Sequence, residues 1–134
     1  MIEVYIDGAS AGNPGKSGAG IFIKHHGKVE RYSIPLGIYN NHEAEFLALI
    51  KALEICQSFN FQTISVRSDS TAVVNAVEKE YTKKEKYKTL LDRILTLISS
   101  FDLFFIKWVP SSENKTADDL ARKAIQVKDL EGTH

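Results

Sequence analysis

Residues 1–36, MIEVYIDGASAGNPGKSGAGIFIKHHGKVERYSIPL, decide the fold. Three stretches within them, residues 2–7, 18–24 and 28–36, are rich in Ile, Val, Phe and Tyr and read as strands. The last two are separated by His25-His26-Gly27, whose glycine suits a hairpin, so an antiparallel meander is the simplest arrangement. Gly15-Lys16-Ser17 looks at first like the end of a nucleotide-binding phosphate loop. That motif needs glycine at position 10, where Ser10 stands, and a helix next, where Gly18–Ile23 reads as strand. The reading fails on both counts, and no nucleotide cofactor is expected. Residues 12–18 are then a tight excursion between two paired strands.

Beyond the meander the periodicity changes. From Asn41 to Phe59 apolar residues recur at helical spacing: Phe46, Leu49, Ile50, Leu53 and Cys56. Residues 62–68 return to alternation, 70–78 and 84–99 read as helices, 103–109 as a strand closed by Pro110, and 115–127 as a last helix. Three strands followed by α-β-α-α-β-α make an α/β protein. It has a mixed five-stranded sheet, an antiparallel meander continued by parallel strands, with helices on both faces. Ligands in such sheets bind beyond the carboxyl ends of parallel strands, so the residues there carry the functional question.

The chain of 134 residues has room for one domain, expected over residues 1–128 with a tail at 129–134. With 43% hydrophobic and 25% charged residues it is neither collagenous, disordered nor a coiled coil. One cysteine, Cys56, excludes an intramolecular disulfide and a cysteine-based zinc cage, and fits a reducing cytoplasm. Seventeen basic and seventeen acidic residues cancel, and residues 1–67 and 68–134 balance separately. Net charge thus names no polyanionic partner, although an acidic centre can mask a basic face in the sum. No signal-like start and no apolar run of membrane-spanning length is present, so a cytoplasmic protein without a membrane partner is expected.

Four carboxylates stand out. Asp7 is expected to close the first strand and Asp69 the fourth, where sites form; each could equally be a capping or turn aspartate. Glu45 projects within roughly 40° of Leu49, Ala52 and Cys56, on the apolar face of its helix. An acid there calls for a partner or a metal. In the last helix Asp118 lies roughly 110° from the centre of the apolar arc and Asp119 roughly 150°. Asp118 is the better inward candidate, though both also suit a helix N-terminus. Anions brought together repel unless a divalent cation neutralises them, and oxygen-only donors suit Mg²⁺ or Mn²⁺. Such clusters serve phosphoryl chemistry.

Asp7-Gly8-Ala9-Ser10 with Gly12-Asn13-Pro14-Gly15, Ala44-Glu45-Phe46 with Ala48-Leu49, Ser68-Asp69-Ser70, and Asn114 through Ala117-Asp118-Asp119-Leu120-Ala121 occur in this order along the chain. This ordered set resembles the ribonuclease H family, type 1. It is most similar to the compact branch, also found in archaea, whose last loop reads Val-Pro-x-x-x-Asn, here Val109 to Asn114. The resemblance implies a ribonuclease H-like fold. It also implies an endonuclease that cuts the RNA strand of an RNA/DNA hybrid, leaving 5′-phosphate and 3′-hydroxyl ends. It further implies that Asp7, Glu45, Asp69 and Asp118 are catalytic and hold two Mg²⁺ ions, Asp7 bridging both, with Mn²⁺ as a substitute. Asn13 would help read the RNA 2′-hydroxyls, and Gly12, Asn41, His42, Ser70 and Thr71 would also face the substrate.

The sequence departs from the family in four places. Residues 110–117 lack the histidine of longer-loop members, His42 stands where a second Asn is common, and Thr71 where Gln is common. The basic protrusion is absent or reduced to the Lys-rich segment 79–88, which also reads as a solvated helix face. These departures leave a second reading: a nucleic-acid- or partner-binding module with little or no cleavage. Phe104, Phe105 and Trp108 are expected in the core. His25 and His26 are expected in solvent, and a monomer is expected.

Overall fold

The computed structural model describes residues 1–126. The expected tail at 129–134 and the last residue of the expected helix 115–127 lie outside them. The elements in chain order are β1 (Ile2–Ser10), β2 (Gly15–His25), β3 (Lys28–Tyr39), α1 (Asn41–Ser58), β4 (Thr63–Ser68), α2 (Thr71–Lys79), α3 (Glu85–Ile98), β5 (Leu103–Trp108) and α4 (Lys115–Gln126). A single 3₁₀ turn, Ser111–Glu113, precedes α4. The five strands form one sheet in the order β3-β2-β1-β4-β5. The meander pairs antiparallel, while β4 and β5 add in parallel.

Strand alternation sorts side chains onto two faces. Val4, Ile6, Ile21, Ile23, Ile64 and Val66 are buried on one face and pack against α1 with α2 and α3 around it. Phe46, Leu49 and Leu53 fill that layer from α1, and Leu91 and Ile94 of α3 close it. Among the described residues the other face carries α4 alone, over β1, β2 and β3. Helices therefore cover both faces, as the pattern implied, although the second is covered only in part.

The meander strands run longer than their apolar stretches. β1 continues to Ser10, β2 begins at Gly15 and β3 reaches Tyr39, which shrinks the loop to Ala11–Pro14. Ser10 pairs with Ser17 and Gly15 with Tyr39, and the Ser10 and Ser17 hydroxyls both donate to the Tyr39 carbonyl, at 2.8 and 3.1 Å. The extensions of β1 and β2, Gly8-Ala9-Ser10 and Gly15-Lys16-Ser17, lack a strand signature and are held by ladder bonds and hydroxyls instead, whereas that of β3 passes Gly37 to reach Ile38 and Tyr39. The hairpin between β2 and β3 is a two-residue turn, His26 (φ 49°) and Gly27 (φ 77°), joining the His25↔Lys28 pair. Two positive φ values give the turn whose twist matches its strands.

Two burial expectations are corrected. Phe105 and Trp108 are 47% and 49% exposed: β5 is the sheet's edge, and among the described residues α4 reaches only β1, β2 and β3, which leaves the face of β5 that carries Phe105 open. Phe104 packs against the core as expected. His25 is not solvated: it packs against the stacked pair Phe59 and Phe61, with ring centroids 5.5 and 5.0 Å away, and its Nε2 is 3.1 Å from Glu30. It is the last residue of β2 rather than part of the turn, so alternation sends it inward.

Candidate active site

The site grows from a fork in the sheet. β1 pairs with β4 only as far as Ile6↔Ser68, whereas its pairing with β2 continues through Asp7↔Gly20 to Ser10. Asp7 therefore does not end its strand, as expected from sequence. It is the first residue past the parallel pairing, with β2 still beside it. Asp69 directly follows the last residue of β4. It caps nothing, because Ser70 takes that position: its Oγ accepts from the Val73 N–H at 3.2 Å.

Two glycines bring the helical acids in. A Cβ at Gly8 would lie 2.3 Å from the Ala44 carbonyl carbon and 2.5 Å from the Glu45 nitrogen. A Cβ at Gly20 would lie 2.0 Å from the Ala117 oxygen and 2.5 Å from the Ala121 nitrogen. Backbone fills both spaces, so only glycine lets α1 close on one face of the strand pair and α4 on the other. The start of α1 is fixed by a capping box: Asn40 Oδ1 accepts from Glu43 N–H at 2.7 Å, and Glu43 accepts from Asn40 N–H at 2.9 Å. Glu45 and Asp118 are thus delivered to Asp7 from opposite sides.

Asp7, Glu45, Asp69 and Asp118 line one open cavity of about 980 Å³. Asp7 is 9% exposed. Its carboxyl is pushed up to about 9, first by burial, then by the charge of Asp69, by a hydrogen bond to Asp118 and by the charges of Asp118 and Glu45. Burial also raises Glu45, against the stabilising hydroxyl of Ser70 and the nearby His42. It raises Asp69 too, offset by hydrogen bonds from Asp7 and Asn114. Negative charge is thus packed where little solvent stabilises it, and a cation would relieve the repulsion.

Among the described residues no three His, Cys, Asp or Glu side chains converge closely enough to hold a metal ion between them. The four acids instead line one shared opening. Their donors are all oxygen, the set preferred by hard divalent cations. The residues present fit such ions.

The other sequence-derived candidates divide. Asn41 lines the cavity, and its Nδ2 lies 3.4 Å from Glu45 Oε1. His42 sits beside it, Nδ1 3.6 Å from Glu45 Oε2. Gly12 and Asn13 are exposed in the loop just past Ala11, the last loop residue of the cavity wall, and do not line it. Ser70 is 6% exposed and occupied by its cap and by Glu45, so it is a support rather than a free contact. Thr71 is exposed on α2 and does not line the cavity. Asp119 is exposed while Asp118 faces inward, as the helical angles implied.

Two residues escaped assignment from the sequence. Asn114 is 1% exposed; its Nδ2 donates to the Ile6 carbonyl at 2.8 Å, its amide stands near enough to Asp69 to hold that carboxyl down, and its own carbonyl accepts from Asp118 N–H at 3.1 Å. One side chain and its carbonyl thereby tie the segments carrying Asp7, Asp69 and Asp118. Arg122 lies one turn after Asp118, its Nε 3.0 and 3.2 Å from the two carboxylate oxygens. The signal for Arg122 was its spacing of four from Asp118; a capping asparagine that reaches across the sheet has no periodicity to betray it.

The sequence pattern of a family described as "Reverse transcriptase-like" matches residues 5–124. A relative from Enterococcus faecalis, the "Putative hydrolase EbsB", is 46% identical over 128 residues, covering 94% of this chain and 95% of that protein. The crystal structure of RNase H1 from the halophilic archaeon Halobacterium salinarum superposes with a TM-score of 0.87 at 32% identity, covering 92% of this chain and 96% of that one. LC11-RNase H1, solved in complex with an RNA/DNA hybrid, gives a TM-score of 0.86 at 30% identity, with 93% and 96% covered. Matched along nearly its whole length in sequence and in fold, the chain belongs to the ribonuclease H family of hydrolases.

Proposed function

We propose that this protein is an endoribonuclease that hydrolyses the RNA strand of RNA/DNA hybrids, leaving 5′-phosphate and 3′-hydroxyl ends. Asp7, Glu45, Asp69 and Asp118 would hold two Mg²⁺ ions, or Mn²⁺ in their place. The observation that carries the reading is that Asp7, Glu45, Asp69 and Asp118, from four different elements or their ends, line one cavity, where burial and the neighbouring acids push the Asp7 carboxyl up. An acid so placed is a poor stabiliser of the fold and a good cation ligand. When bound, such a pair of ions supplies Lewis acidity to the attacking water and to the departing 3′-oxygen.

The chain's own groups do the rest. Asn114 and Ser70 keep Asp69 and Glu45 aimed, so few coordination geometries remain to be selected. Lys115 and Arg122 line the same cavity and offer positive charge to a phosphodiester backbone. Asn41 presents an amide beside Glu45, and the loop carrying Gly12 and Asn13 is pinned to the end of β3 just before it. Both belong to a surface on which 2′-hydroxyls can be read. The LC11 relative's hybrid complex supports this substrate class. A monomer working in the cytoplasm, without nucleotide cofactor, completes the reading.

The test is cleavage of an end-labelled RNA/DNA hybrid with Mg²⁺ or Mn²⁺, with Asp7→Asn as control. Metal-dependent cutting of the RNA strand alone, lost in Asp7→Asn, is expected. Hybrid binding without cutting in any metal would instead favour the binding-module reading.

A further inference from the structure

The part of the sheet face that α4 leaves uncovered among the described residues carries one continuous row across all five strands. Paired residues run Arg31↔Phe22↔Tyr5↔Arg67↔Lys107, from β3 through β2, β1 and β4 to β5. Four strand spacings of roughly 4.8 Å make the row about 19 Å long. Two aromatic rings at its centre, Tyr5 and Phe22, stand 6.0 Å apart and are half-buried. Cations overhang them: Arg31 is 5.2 Å from the Phe22 ring, Arg67 5.4 Å from Tyr5, and Lys24 5.4 and 5.6 Å from the two. In the adjacent row Phe105 stands 47% exposed, in register with Ser65. Two acids border them: Glu3, already bonded to Arg67 at 2.9 Å, and Glu113, which lines the hollow beside Tyr5, Phe22 and Lys24.

In a chain of zero formal charge this concentration of cations is a local excess, the counterpart of the acids gathered in the cavity. Flat rings flanked by mobile cations on an open sheet are the chemistry that holds unpaired bases and their phosphates. A surface meant for a folded partner would present a broader apolar patch with fewer charges at its centre. The face is also continuous with the catalytic opening: Ser112 and Lys115 line both the carboxylate cavity and the hollow beside Tyr5 and Phe22. A strand leaving the carboxylates over Lys115 meets these rings next.

We infer that the open face, centred on Tyr5, Phe22, Lys24, Arg31 and Lys107, is a second nucleic-acid site that binds single-stranded RNA or DNA. It extends beyond the hybrid-cleaving reading and does not depend on it, since the face contains none of the four carboxylates.

The test is fluorescence anisotropy with a labelled single-stranded oligonucleotide of about a dozen nucleotides, in EDTA so that nothing is cut. Lys24→Glu/Arg31→Glu/Lys107→Glu changes only exposed side chains. It should weaken binding about tenfold or more and lower the salt slope by about 2, since each lost phosphate contact removes about 0.7 from the slope on single strands. Phe22→Leu keeps an apolar side chain without the ring and should weaken binding about fivefold or more while leaving the salt slope unchanged. Asp7→Asn should bind the oligonucleotide as well as the parent. Cleavage of a blunt hybrid should survive the triple substitution; its loss would make these cations part of the hybrid site and overturn the inference. So would equal oligonucleotide binding by parent and triple variant. Equal competition by polyglutamate would show that the rings play no part, and a concentration-dependent dimer abolished by the triple variant would identify a second copy as the occupant; either result overturns the inference. Failure of hybrid cleavage with these binding results intact would end the proposed function and leave this site standing.

Discussion

Asp118 and Asp119 are neighbours separated by one helical step of about 100°, and that step decides their chemistry. Asp118 reaches the cavity and hydrogen-bonds Asp7, whereas Asp119 is exposed. Asp118→Asn should therefore abolish nearly all hybrid cleavage, and Asp119→Asn should leave it within about twofold, because exposed substitutions away from special features change little. Steady-state cleavage rates for the two variants decide it, and equal losses would refute the assignment. Asn114 acts differently, through the residues it ties. Asn114→Ala leaves the Ile6 carbonyl buried without its donor, a loss of about 1–3 kcal/mol in denaturant unfolding. It also frees Asp69, so calorimetry should show Mg²⁺ affinity reduced about tenfold or more. Unchanged metal affinity would confine Asn114 to stability alone.

At the scale of elements, the decisive contacts are where helices sit directly on backbone. Gly20→Ala places a methyl group where the Ala117 carbonyl and the Ala121 amide already are, so α4 must lift from β2 and carry Asp118 with it. The expected result is a midpoint several degrees lower and hybrid cleavage at least about tenfold slower. The cost of forcing an extra methyl into a packed contact is typically about 1–3 kcal/mol. Parent-like cleavage would mean that α4 has slack the close contact denies. The same contacts explain what could be read from the chain and what could not. Helix periodicity and the Ile, Val and Phe alternation located every helix and strand, and angles on α1 and α4 found Glu45 and Asp118. Gly8, Gly20, Ser10 and Ser17 carry no such signal, because their function is to lack side-chain bulk or to bond across the sheet. β1 was consequently read as ending at Asp7, three residues early. The exposure of Phe105 and Trp108 was misjudged for a related reason: apolar residues on a strand announce pairing, not which strand lies at the edge.

For the molecule as a whole, the acids that make the site work against the fold that holds them. Asp7 ionises near 3.8 in an unfolded chain and at about 9 in the native one, so the native state binds its proton more tightly. That contribution to stability is complete below about pH 4 and is lost progressively as pH rises toward 9. Glu45 and Asp69 are shifted in the same direction and add to the trend. In EDTA the thermal midpoint should therefore fall between pH 5 and pH 9. In the proposed function a divalent cation would replace the proton: it would bind the folded site, hardly bind the unfolded chain, and compete with protons for the same oxygens. Mg²⁺ should raise the midpoint more at pH 8.5 than at pH 5.5. Asp7→Asn removes both effects at once. Without metal it should melt several degrees above the parent at pH 8.5 and little differently at pH 5, and Mg²⁺ should scarcely move it. Differential scanning calorimetry of both proteins across this range, with and without Mg²⁺, reads all of these outcomes. A parent midpoint that ignores pH and matches that of Asp7→Asn would mean that Asp7 meets no crowd of neighbouring charges, and that the cavity has no need of cations.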